Sequence, residues 1–464
     1  MELNKVYNLD CLKFLKDIPS ESIDSIVTDP PAGISFMGAD WDSDKGGRDG
    51  WIRWMSNVFE ECLRVLKPGA HGLVWALPRT SHWTAMALED AGFEIRDIVN
   101  HIFSTGFPKS LNISKEIDSM YNIQQPVVGT YKLPNGSGWN LKQALDSDVV
   151  GSGGTFTSSG RRTLDVAEPV TDDAVRFSGW GTGLKPACEY WILIRKPLAE
   201  KTIVGNCLKW GTGGINIDAC RIYTNDILNG GAYSGGKRVV DSVFIGLKND
   251  KLNEFQQPIG RFPSNLILDN SEEIKNMCDL YGQTKSGKVV SDKNAYNSES
   301  IFFNGVTNEN NQFGDSGNIM RFFYCPKAFV DDREEGLENF NLDRYSDRKK
   351  SDGVGGDNPR NRTNNLRKNI HPTVKHTSLM MYLCRLITPP GGLVIDPFAG
   401  SGSTGKACIL EDFKFIGCDE NEQFCQIANA RLQYTIANKD KLKEKYSDSV
   451  NRILPTKNKE NNFF

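Results

Sequence analysis

The sequence has 464 residues, of which 39% are hydrophobic and 24% charged, with a formal net charge of −3. That length is too great for one compact core, so we expect two or three structural units. The near-neutral charge excludes a uniformly basic nucleic-acid coat, although it allows a local basic groove. Eleven cysteines without a Cys-x-x-Cys pair indicate a reducing compartment and predict no metal site.

The sequence carries no targeting pattern at its N-terminus, MELNKVYNLDCLKFL. No apolar run in the chain approaches the length of a membrane span. We therefore expect a cytoplasmic protein without a membrane partner.

The first 118 residues alternate short apolar segments with helical patterns. Strands are predicted for KVYNLD, IDSIVTDP, HGLVWAL and FEIRDIVNHIF, and helices for WIRWMSNVFEECLRVLKPG, which ends in Pro-Gly, and TSHWTAMALEDAG. Strands that alternate with helices predict an α/β fold, in which a parallel sheet is covered by helices on both faces.

The middle of the chain is less regular. Residues 119–187 form a Gly/Ser-rich insertion, and 188–198, CEYWILIRKPL, predict a strand that returns to the first sheet. Residues 199–330 mix glycine-rich turns with short apolar runs and predict a second, irregular domain. Residues 331–370 are charged and asparagine-rich, which is typical of a linker or a loop.

Regular patterns resume at residue 371. HPTVKHTSLMMYLCRLITPPGG predicts a helix, LVIDPFAGSGSTGKACILED a strand, glycine loop and helix, and FKFIGCDENEQFCQIANARLQY a strand and helix. This second ordered block spans 371–437, and 438–464 is expected to be a frayed polar tail.

The glycine loop predicts a cofactor. Gly400, Gly402 and Gly405 match G-x-G-x-x-G directly after a strand, and Asp419 follows at the tip of the next strand, as a ribose-binding acid would. A tight strand–helix turn without a ligand is the alternative. Asp396 at the strand tip would repel a pyrophosphate but attract a sulfonium cation, which favours S-adenosylmethionine.

Asp29, Pro30 and Pro31 form a rigid corner at the end of a predicted strand. The Asp29 carboxylate and the Pro30 carbonyl can accept both hydrogens of an exocyclic amino group and direct its lone pair outward. A stiff turn without chemistry is the alternative.

Four segments, DPPAGISFMG, HPTVKHTSLM, DPFAGSGST and FIGCDENEQF, together resemble motifs of the DNA amino-methyltransferases, which modify adenine N-6 or cytosine N-4. Their order resembles the β class, and GWGTGLKPACEYWILIRKPL and RFFYCPKA resemble segments of phage and prophage members. The resemblance implies a Rossmann-like S-adenosylmethionine-dependent methyltransferase fold with permuted motif order. Residues 1–118 would be its catalytic half, 371–437 its cofactor-binding half, and 199–330 an inserted target-recognition domain.

The resemblance also implies roles for single residues. Asp29, Pro30 and Pro31 would hold the target amine. The implied cofactor contacts are Asp10, with Cys11 beside it, for the adenine; Thr373, Lys375 and Thr377 for the carboxylate side; Phe398, Gly400, Gly402 and Thr404 for the methionine part, with Asp396 near its charged end; and Asp419 for the ribose.

Ala32 departs from the family pattern, which has an aromatic residue at this position to stack on the flipped base. Such stacking contributes roughly 1–3 kcal/mol per base, so its loss matters. Either Phe36 or Trp41 supplies the ring, which is the interpretation we favour, or the enzyme is impaired.

We therefore predict a site-specific methyltransferase acting on adenine N-6 of double-stranded DNA after base flipping. Asp29 tilts the choice toward adenine, because the cytosine N-4 enzymes usually have Ser there. The alternatives are cytosine N-4 methylation, a catalytically impaired S-adenosylmethionine- and DNA-binding protein, and an oxidoreductase suggested by the glycine loop alone. Lys237, Arg238, Arg261 and Arg321 are basic candidates for DNA contacts, and a cognate restriction enzyme and a homodimer are possible partners.

Overall fold

A computed structural model describes most of the chain. The described residues are 1–36, 40–104, 106, 110–132, 163–224, 260–282, 284–285, 316–326, 329, 331–343 and 367–450. The glycine- and serine-rich centre of the predicted insertion, 133–162, lies outside them, as do Lys237 and Arg238.

The described residues form an eight-stranded mixed sheet and three two-stranded antiparallel pairs. The strands of the main sheet are β1 (Lys5–Asn8), β2 (Ile23–Thr28), β3 (Leu66–Ala76), β4 (Glu94–Ile102), β7 (Cys188–Arg195), β10 (Leu266–Leu268), β13 (Leu393–Asp396) and β14 (Lys414–Asp419). The pairs are β5 (Val127–Lys132) with β6 (Thr163–Ala167), β8 (Ile222–Tyr223) with β9 (Gly260–Arg261), and β11 (Thr284–Lys285) with β12 (Ser316–Gly317).

The strand order of the main sheet is β1-β14-β13-β2-β3-β7-β4-β10. Strands from the C-terminal end of the chain thus lie in the middle of the sheet, and β13 pairs in parallel with β2, with Ile395 opposite Ile26. Because the carboxyl ends of neighbouring parallel strands meet at one edge, the segments after Thr28 and after Asp396 meet there. This order confirms the predicted Rossmann-like fold with permuted motifs.

The helices cover both faces of the sheet. Their bounds are α1 (Cys11–Lys16), α2 (Arg48–Val65), α3 (Ser81–Asp90), α4 (Ile113–Met120), α5 (Asp172–Arg176), α6 (Ile203–Trp210), α7 (Glu272–Leu280), α8 (Thr377–Ile387), α9 (Ser403–Leu410), α10 (Glu422–Ala437) and α11 (Lys439–Val450). One core holds buried residues of α1, α2 and α3, such as Phe14, Phe59 and Leu88, and the other holds those of α8, α9 and α10, such as Leu383, Ala407 and Leu432. No helix within the described ranges is long and apolar enough to cross a bilayer.

The sheet differs from the sequence prediction in two places. Strand β7 runs antiparallel to both β3 and β4, so the sheet is not purely parallel. Helix α2 ends at Val65 and β3 begins at Leu66, so Lys67, Pro68 and Gly69 belong to the strand and do not form a helix stop. The backbone N–H of Gly69 donates to the carbonyls of Lys196 and Pro197, which follow β7, and this pairing extends the sheet past the proline.

Parts of the predicted second domain belong to the main body of the protein. Strand β10 pairs in parallel with β4, and Tyr324 stacks on Tyr382 of α8 with ring centroids 4.0 Å apart. Arg261 and Arg321, two of the basic candidates, both lie against the ring of Phe322, within 5 Å of its centroid. Whether 199–330 reads the target sequence stays a prediction, and residues 225–259 and 286–315 of this range lie outside the described residues.

The predicted frayed tail instead begins with helix α11. Leu442 and Tyr446, four residues apart and therefore on one helix face, are buried in the core under α8 and α9. The Tyr446 hydroxyl accepts a hydrogen bond from Lys406 at 3.0 Å. The two apolar residues stabilise a helix in a segment whose polar composition alone predicted none.

Candidate active site

One cavity of about 820 Å³ lies at the carboxyl edge of the sheet, where β2 and β13 end side by side. It is lined by fourteen of the sixteen residues that the sequence analysis assigned to the target base or to the cofactor. These are Asp10, Cys11, Asp29, Pro30, Pro31, Phe36, Trp41, Thr373, Lys375, Asp396, Phe398, Gly400, Thr404 and Asp419. Residues more than 300 positions apart in sequence thus share a single cleft.

The Asp-Pro-Pro corner begins where the wholly buried strand β2 ends. The Asp29 side chain is 23% exposed, and its Oδ2 accepts a hydrogen bond from Lys375 Nζ at 2.7 Å. Burial raises the pKa of Asp29 above its usual value, and the charge of Lys375 opposes this rise. Pro30 is buried and Pro31 half-buried; both line the cavity, and neither has an N–H to donate.

The glycine turn after β13 is held by backbone geometry. Gly400 has φ +50°, and a Cβ there would lie 2.6 Å from Nε2 of His371, so a side chain has no room. Its N–H donates to Asp419 Oδ2 at 3.0 Å, while Asp419 Oδ1 accepts from the N–H of Asn421 at 2.8 Å. Burial raises the pKa of Asp419 to about 6. The acid predicted to bind the ribose therefore also fixes the glycine turn.

Asp396 lies at the end of β13 and is 2% exposed. It accepts hydrogen bonds from the hydroxyls of Thr28 at 2.6 Å and Thr404 at 2.7 Å and from the N–H of Phe398 at 3.1 Å. Burial raises the pKa of Asp396 to about 6 despite these bonds. Because Thr28 directly precedes Asp29, Asp396 ties the Asp-Pro-Pro corner to the glycine turn.

The predicted adenine-binding residues lie at the start of α1. Asp10 caps this helix by accepting from the N–H of Lys13 at 3.1 Å, and Asp10 and Cys11 both line the cavity. Burial raises the pKa of the Cys11 thiol to about 12, so the thiol is neutral at physiological pH. Cys11 therefore contributes an apolar wall and not a nucleophile.

The loop after Pro31 is organised by Asp42. This buried carboxylate accepts from the backbone N–H groups of Gly33 at 2.9 Å, Ile34 at 3.3 Å and Phe36 at 2.8 Å. The carbonyl of Ala32 accepts from the Thr80 hydroxyl at 3.0 Å. Asp42 therefore holds the loop folded so that Phe36 and Trp41 both line the cavity.

Two of the predicted residues do not line the cavity. The N–H and hydroxyl of Thr377 both donate to Asp332, at 2.7 and 2.6 Å, and the residue is fully buried. Asp332 also binds Lys406 at 2.7 Å, so Thr377 belongs to a buried polar network behind the site. Gly402, with φ +76°, is the N-cap of α9 and faces Ala428 of α10, where a Cβ would lie 3.0 Å away.

Sequence reasoning missed several lining residues. Glu189, from the start of the antiparallel strand β7, lies 3.9 Å from Lys375 Nζ, and the ring of Trp75 lies 4.5 Å from the same atom. Trp54 contacts Phe398 with ring centroids 6.2 Å apart. Glu189 reaches this edge because β7 runs antiparallel, so the start of β7 lies beside the carboxyl ends of the parallel strands.

The composition of the cavity wall fits a cationic cofactor. The lining contains two lysines, Lys45 and Lys375, and seven carboxylates: Asp10, Asp29, Asp42, Glu189, Asp396, Asp419 and Glu420. Such an excess of acids attracts a sulfonium and an ammonium and repels a pyrophosphate. The aromatic residues on the same wall offer flat surfaces for rings.

Comparison with known proteins identifies the family of this chain. The family model described as DNA methylase, for N6 and N4 methyltransferases, matches residues 23–127 and 249–430, more than half of the chain. The chain therefore belongs to this family, as the sequence motifs predicted. Family membership also confirms the predicted cofactor, S-adenosylmethionine.

Individual relatives match over short segments. The chain is 36% identical over 78 residues to the type II methyltransferase M.BamHI of Bacillus amyloliquefaciens, which covers 17% of this chain and 18% of that protein. It is 39% identical over 62 residues to the DNA adenine methyltransferase YhdJ of Escherichia coli K12, which covers 13% and 21%. The chain thus spans about a fifth of the length of these curated relatives.

Among solved structures, the PvuII cytosine-N4-specific DNA methyltransferase aligns over 96% of this chain and 94% of its own, with 13% identity and a TM-score of 0.39. That overall similarity is too low to carry the fold assignment, which rests on the strand order and the family match.

Proposed function

We propose that the protein transfers a methyl group from S-adenosylmethionine to the exocyclic N-6 amino group of adenine at a specific site in double-stranded DNA. One observation carries the proposal: the Asp29 corner and the Gly400 turn, encoded at opposite ends of the chain, open into the same cavity. An amine held at the first corner faces a methyl donor held at the second.

Asp29 and Pro30 would perform the substrate activation. The adenine amine is a poor nucleophile because its lone pair is delocalised into the ring. The Asp29 carboxylate and the Pro30 carbonyl each accept one N–H, which localises the lone pair toward the methyl group. The cofactor supplies an electrophilic methyl group whose bonding electrons leave with the sulfur. Asp29 or water takes the proton that the methylated nitrogen releases.

The cofactor would lie along the glycine turn. Gly400 lets the backbone approach it closely, Asp419 would bind the ribose hydroxyls, and Asp10 would accept from its adenine amine. Phe398 and Thr404 line the part of the cavity between these residues and Asp29. We keep these assignments as proposals, together with Thr373, whose N–H donates to Nδ1 of His371 at 3.3 Å.

Phe36 or Trp41 would replace the aromatic ring that is missing at Ala32. Both line the cavity on the loop that Asp42 organises, so a ring reaches the site from four or nine positions further along the chain. Trp75, also on the wall, is a further ring near Lys375. These contacts support an active enzyme over the impaired alternative, because stacking surfaces are present.

Adenine is the proposed target because Asp occupies the first motif position at residue 29. Cytosine N-4 is the alternative, since both bases present an amino donor beside a ring-nitrogen acceptor on the Watson–Crick edge, which an enzyme reads on a flipped base. A cytoplasmic location, phage-like origin, a cognate restriction enzyme and a homodimer stay predictions.

The test uses purified protein, S-adenosylmethionine with a labelled methyl group and duplex DNA of varied sequence. Digestion to nucleosides should give labelled N6-methyldeoxyadenosine, and the Asp29→Ala variant should give roughly 10²–10⁴-fold less in the same time. Labelled N4-methylcytosine would assign the alternative target. Cofactor and DNA binding without any transfer would instead support the impaired form, and long-read sequencing of DNA from expressing cells identifies the site.

A further inference from the structure

Lys375 lies between two carboxylates and an aromatic ring. Its Nζ is 2.7 Å from Asp29 Oδ2, 3.9 Å from Glu189 Oε1 and 4.5 Å from the centroid of the Trp75 ring. The Lys375 side chain is 11% exposed, so the ammonium exchanges most of its water for these partners. The resemblance assigned Lys375 to the cofactor, whereas its contacts here are with the residue proposed to hold the target amine.

The hydrogen bonding of Asp29 leaves one oxygen available. Among the described residues, Lys375 is the one hydrogen-bond partner of this carboxylate, and it engages Oδ2. A carboxylate pinned at one oxygen presents the other in a defined direction. That arrangement suits acceptance of a single N–H from an amine.

We propose that Lys375 is a positioning residue for catalysis, which pins Asp29 through Oδ2, turns Oδ1 toward the target amine and keeps the carboxylate charged, while Glu189 holds the ammonium from the other side. This inference rests on the proposed function, because it concerns the same amine.

The charges around Asp29 explain why a cation is needed beside it. Asp29 is faced by three other carboxylates, namely Asp42 from the loop after β2, Glu189 from β7 and Asp396 from β13, and Lys375 is the opposing cation. Burial and the nearby acids raise the pKa of Asp29, and Lys375 lowers it. Without this lysine, the carboxyl would become protonated at a higher pH and would lose an acceptor.

Lys375 and Glu189 are both charged near neutral pH. Burial acts to lower the pKa of Lys375, but Asp29 and Glu189 outweigh burial and raise it. Burial acts to raise the pKa of Glu189, but Lys375 and His101 hold it at about 2. Since Glu189 repels a charged Asp29 and Lys375 attracts it, removal of each should move the Asp29 pKa in opposite directions.

The experiment compares pH–rate profiles of single-turnover methyl transfer for the wild type, Lys375→Met and Glu189→Gln. Asp29 acts in its charged form, so the rate falls as pH drops through its pKa. In Lys375→Met the acidic limb of the profile should move up by roughly 1–3 pH units, because an opposite charge beside the carboxylate is lost. The rate of this variant should recover at alkaline pH, where Asp29 is charged again. In Glu189→Gln the acidic limb should move down, because a like charge that raises the pKa of Asp29 is removed.

Lys45→Met is the matched control. Lys45 also lines the cavity, but its Nζ lies 4.9 Å from the centroid of the Trp54 ring, whereas the hydrogen bond to Asp29 comes from Lys375. The Lys45→Met substitution also removes one positive charge from the cavity wall, but the acidic limb of its pH–rate profile should not move. Lys375→Arg should keep the wild-type limb. If Lys375→Met does not fold, Lys375→Arg and Glu189→Gln still give the comparison.

If the methyl-transfer rate of Lys375→Met falls by the same factor at every pH, so that the acidic limb does not move, the inference is overturned. A large loss of S-adenosylmethionine affinity in that variant, measured by calorimetry, would return Lys375 to the cofactor role. Absence of methyl transfer by the wild-type chain is a separate outcome, which removes the proposed function itself and the inference with it.

Discussion

Two Asp-Pro corners stand on neighbouring strands of this protein and differ in what surrounds them. Asp29 is partly open to the cavity and binds one ammonium, that of Lys375. Asp396 also lines the cavity but is only 2% exposed, and it accepts from two hydroxyls and one backbone N–H. Burial raises the pKa of both carboxyls. The same dipeptide is therefore proposed to hold the target amine at one strand end, whereas at the next it braces the glycine turn, and the two carboxylates differ in the donors that surround them.

The largest expected effect comes from the open corner. Asp29→Ala removes one of the two proposed acceptors of the target amine and should lower the methyl-transfer rate by roughly 10²–10⁴. S-adenosylmethionine affinity should change only a few-fold, since Asp29 does not form the glycine turn. Single-turnover assays and calorimetry measure the two quantities, and a variant that keeps most of its transfer rate would refute the assignment.

Substitution at the second corner, Asp396, should mainly lower the stability of the protein. Asp396→Ala leaves the hydroxyls of Thr28 and Thr404 and the Phe398 N–H without their acceptor, so the free energy of unfolding should fall by about 3–5 kcal/mol. Asp29→Ala is the matched comparison, with an expected loss of about 1 kcal/mol or less, because Glu189 remains as a counter-ion for Lys375. Denaturant unfolding of both variants tests the contrast, and equal losses would abolish it.

A smaller effect is expected from the rings beside the open corner. Removal of both side chains in Phe36→Ala with Trp41→Ala should slow transfer by roughly 10–100-fold, since base stacking contributes roughly 1–3 kcal/mol. Conservative variants that keep a ring, Phe36→Tyr and Trp41→Phe, should retain most of the rate. Full activity in the double alanine variant would exclude both residues as the replacement for the ring missing at Ala32.

The smallest effect concerns pH and cofactor binding. Asp396 and Asp419 both have a pKa of about 6, so each loses its charge as pH falls through that value. A cationic ligand prefers the charged forms, and its affinity should therefore weaken below pH 6 by at most about tenfold per pH unit for each group. Calorimetry of S-adenosylmethionine between pH 5 and 8 measures this change. The affinity of Asp419→Asn should depend less steeply on pH. A wild-type affinity that does not change between pH 5 and 8 would contradict the role of these acids.

The sequence predicted the parts of the site that are local in the chain. A strand ending in Asp-Pro-Pro and another ending in Asp-Pro before a glycine loop define both corners, because each depends on neighbouring residues only. Fourteen of the sixteen selected residues accordingly line one cavity. The different surroundings of Asp29 and Asp396 were harder to predict, because they include side chains that are distant in sequence, such as Lys375 beside Asp29 and Thr28 beside Asp396.

What the sequence did not reveal depends on tertiary contacts. Glu189 reaches the site because β7 inserts antiparallel between β3 and β4, and strand direction carries no signal in a single apolar segment. Thr377 was placed by its motif, but Asp332, 45 positions earlier, takes both of its donors. The C-terminal helix α11 was missed because two buried residues outweigh a polar composition.

The strand order also has a consequence for how this protein forms on the ribosome. Strand β1 pairs with β14, so Lys5 to Asn8 leave the exit tunnel more than 400 residues ahead of their neighbours Ile416 to Asp419. The central strand β13 is likewise translated after β2 and β3 on one side of it. Pairing across such separations is slow because a very long loop must close first. The nascent polypeptide therefore holds an incomplete sheet for most of its synthesis and gains its cleft only when the last strands arrive.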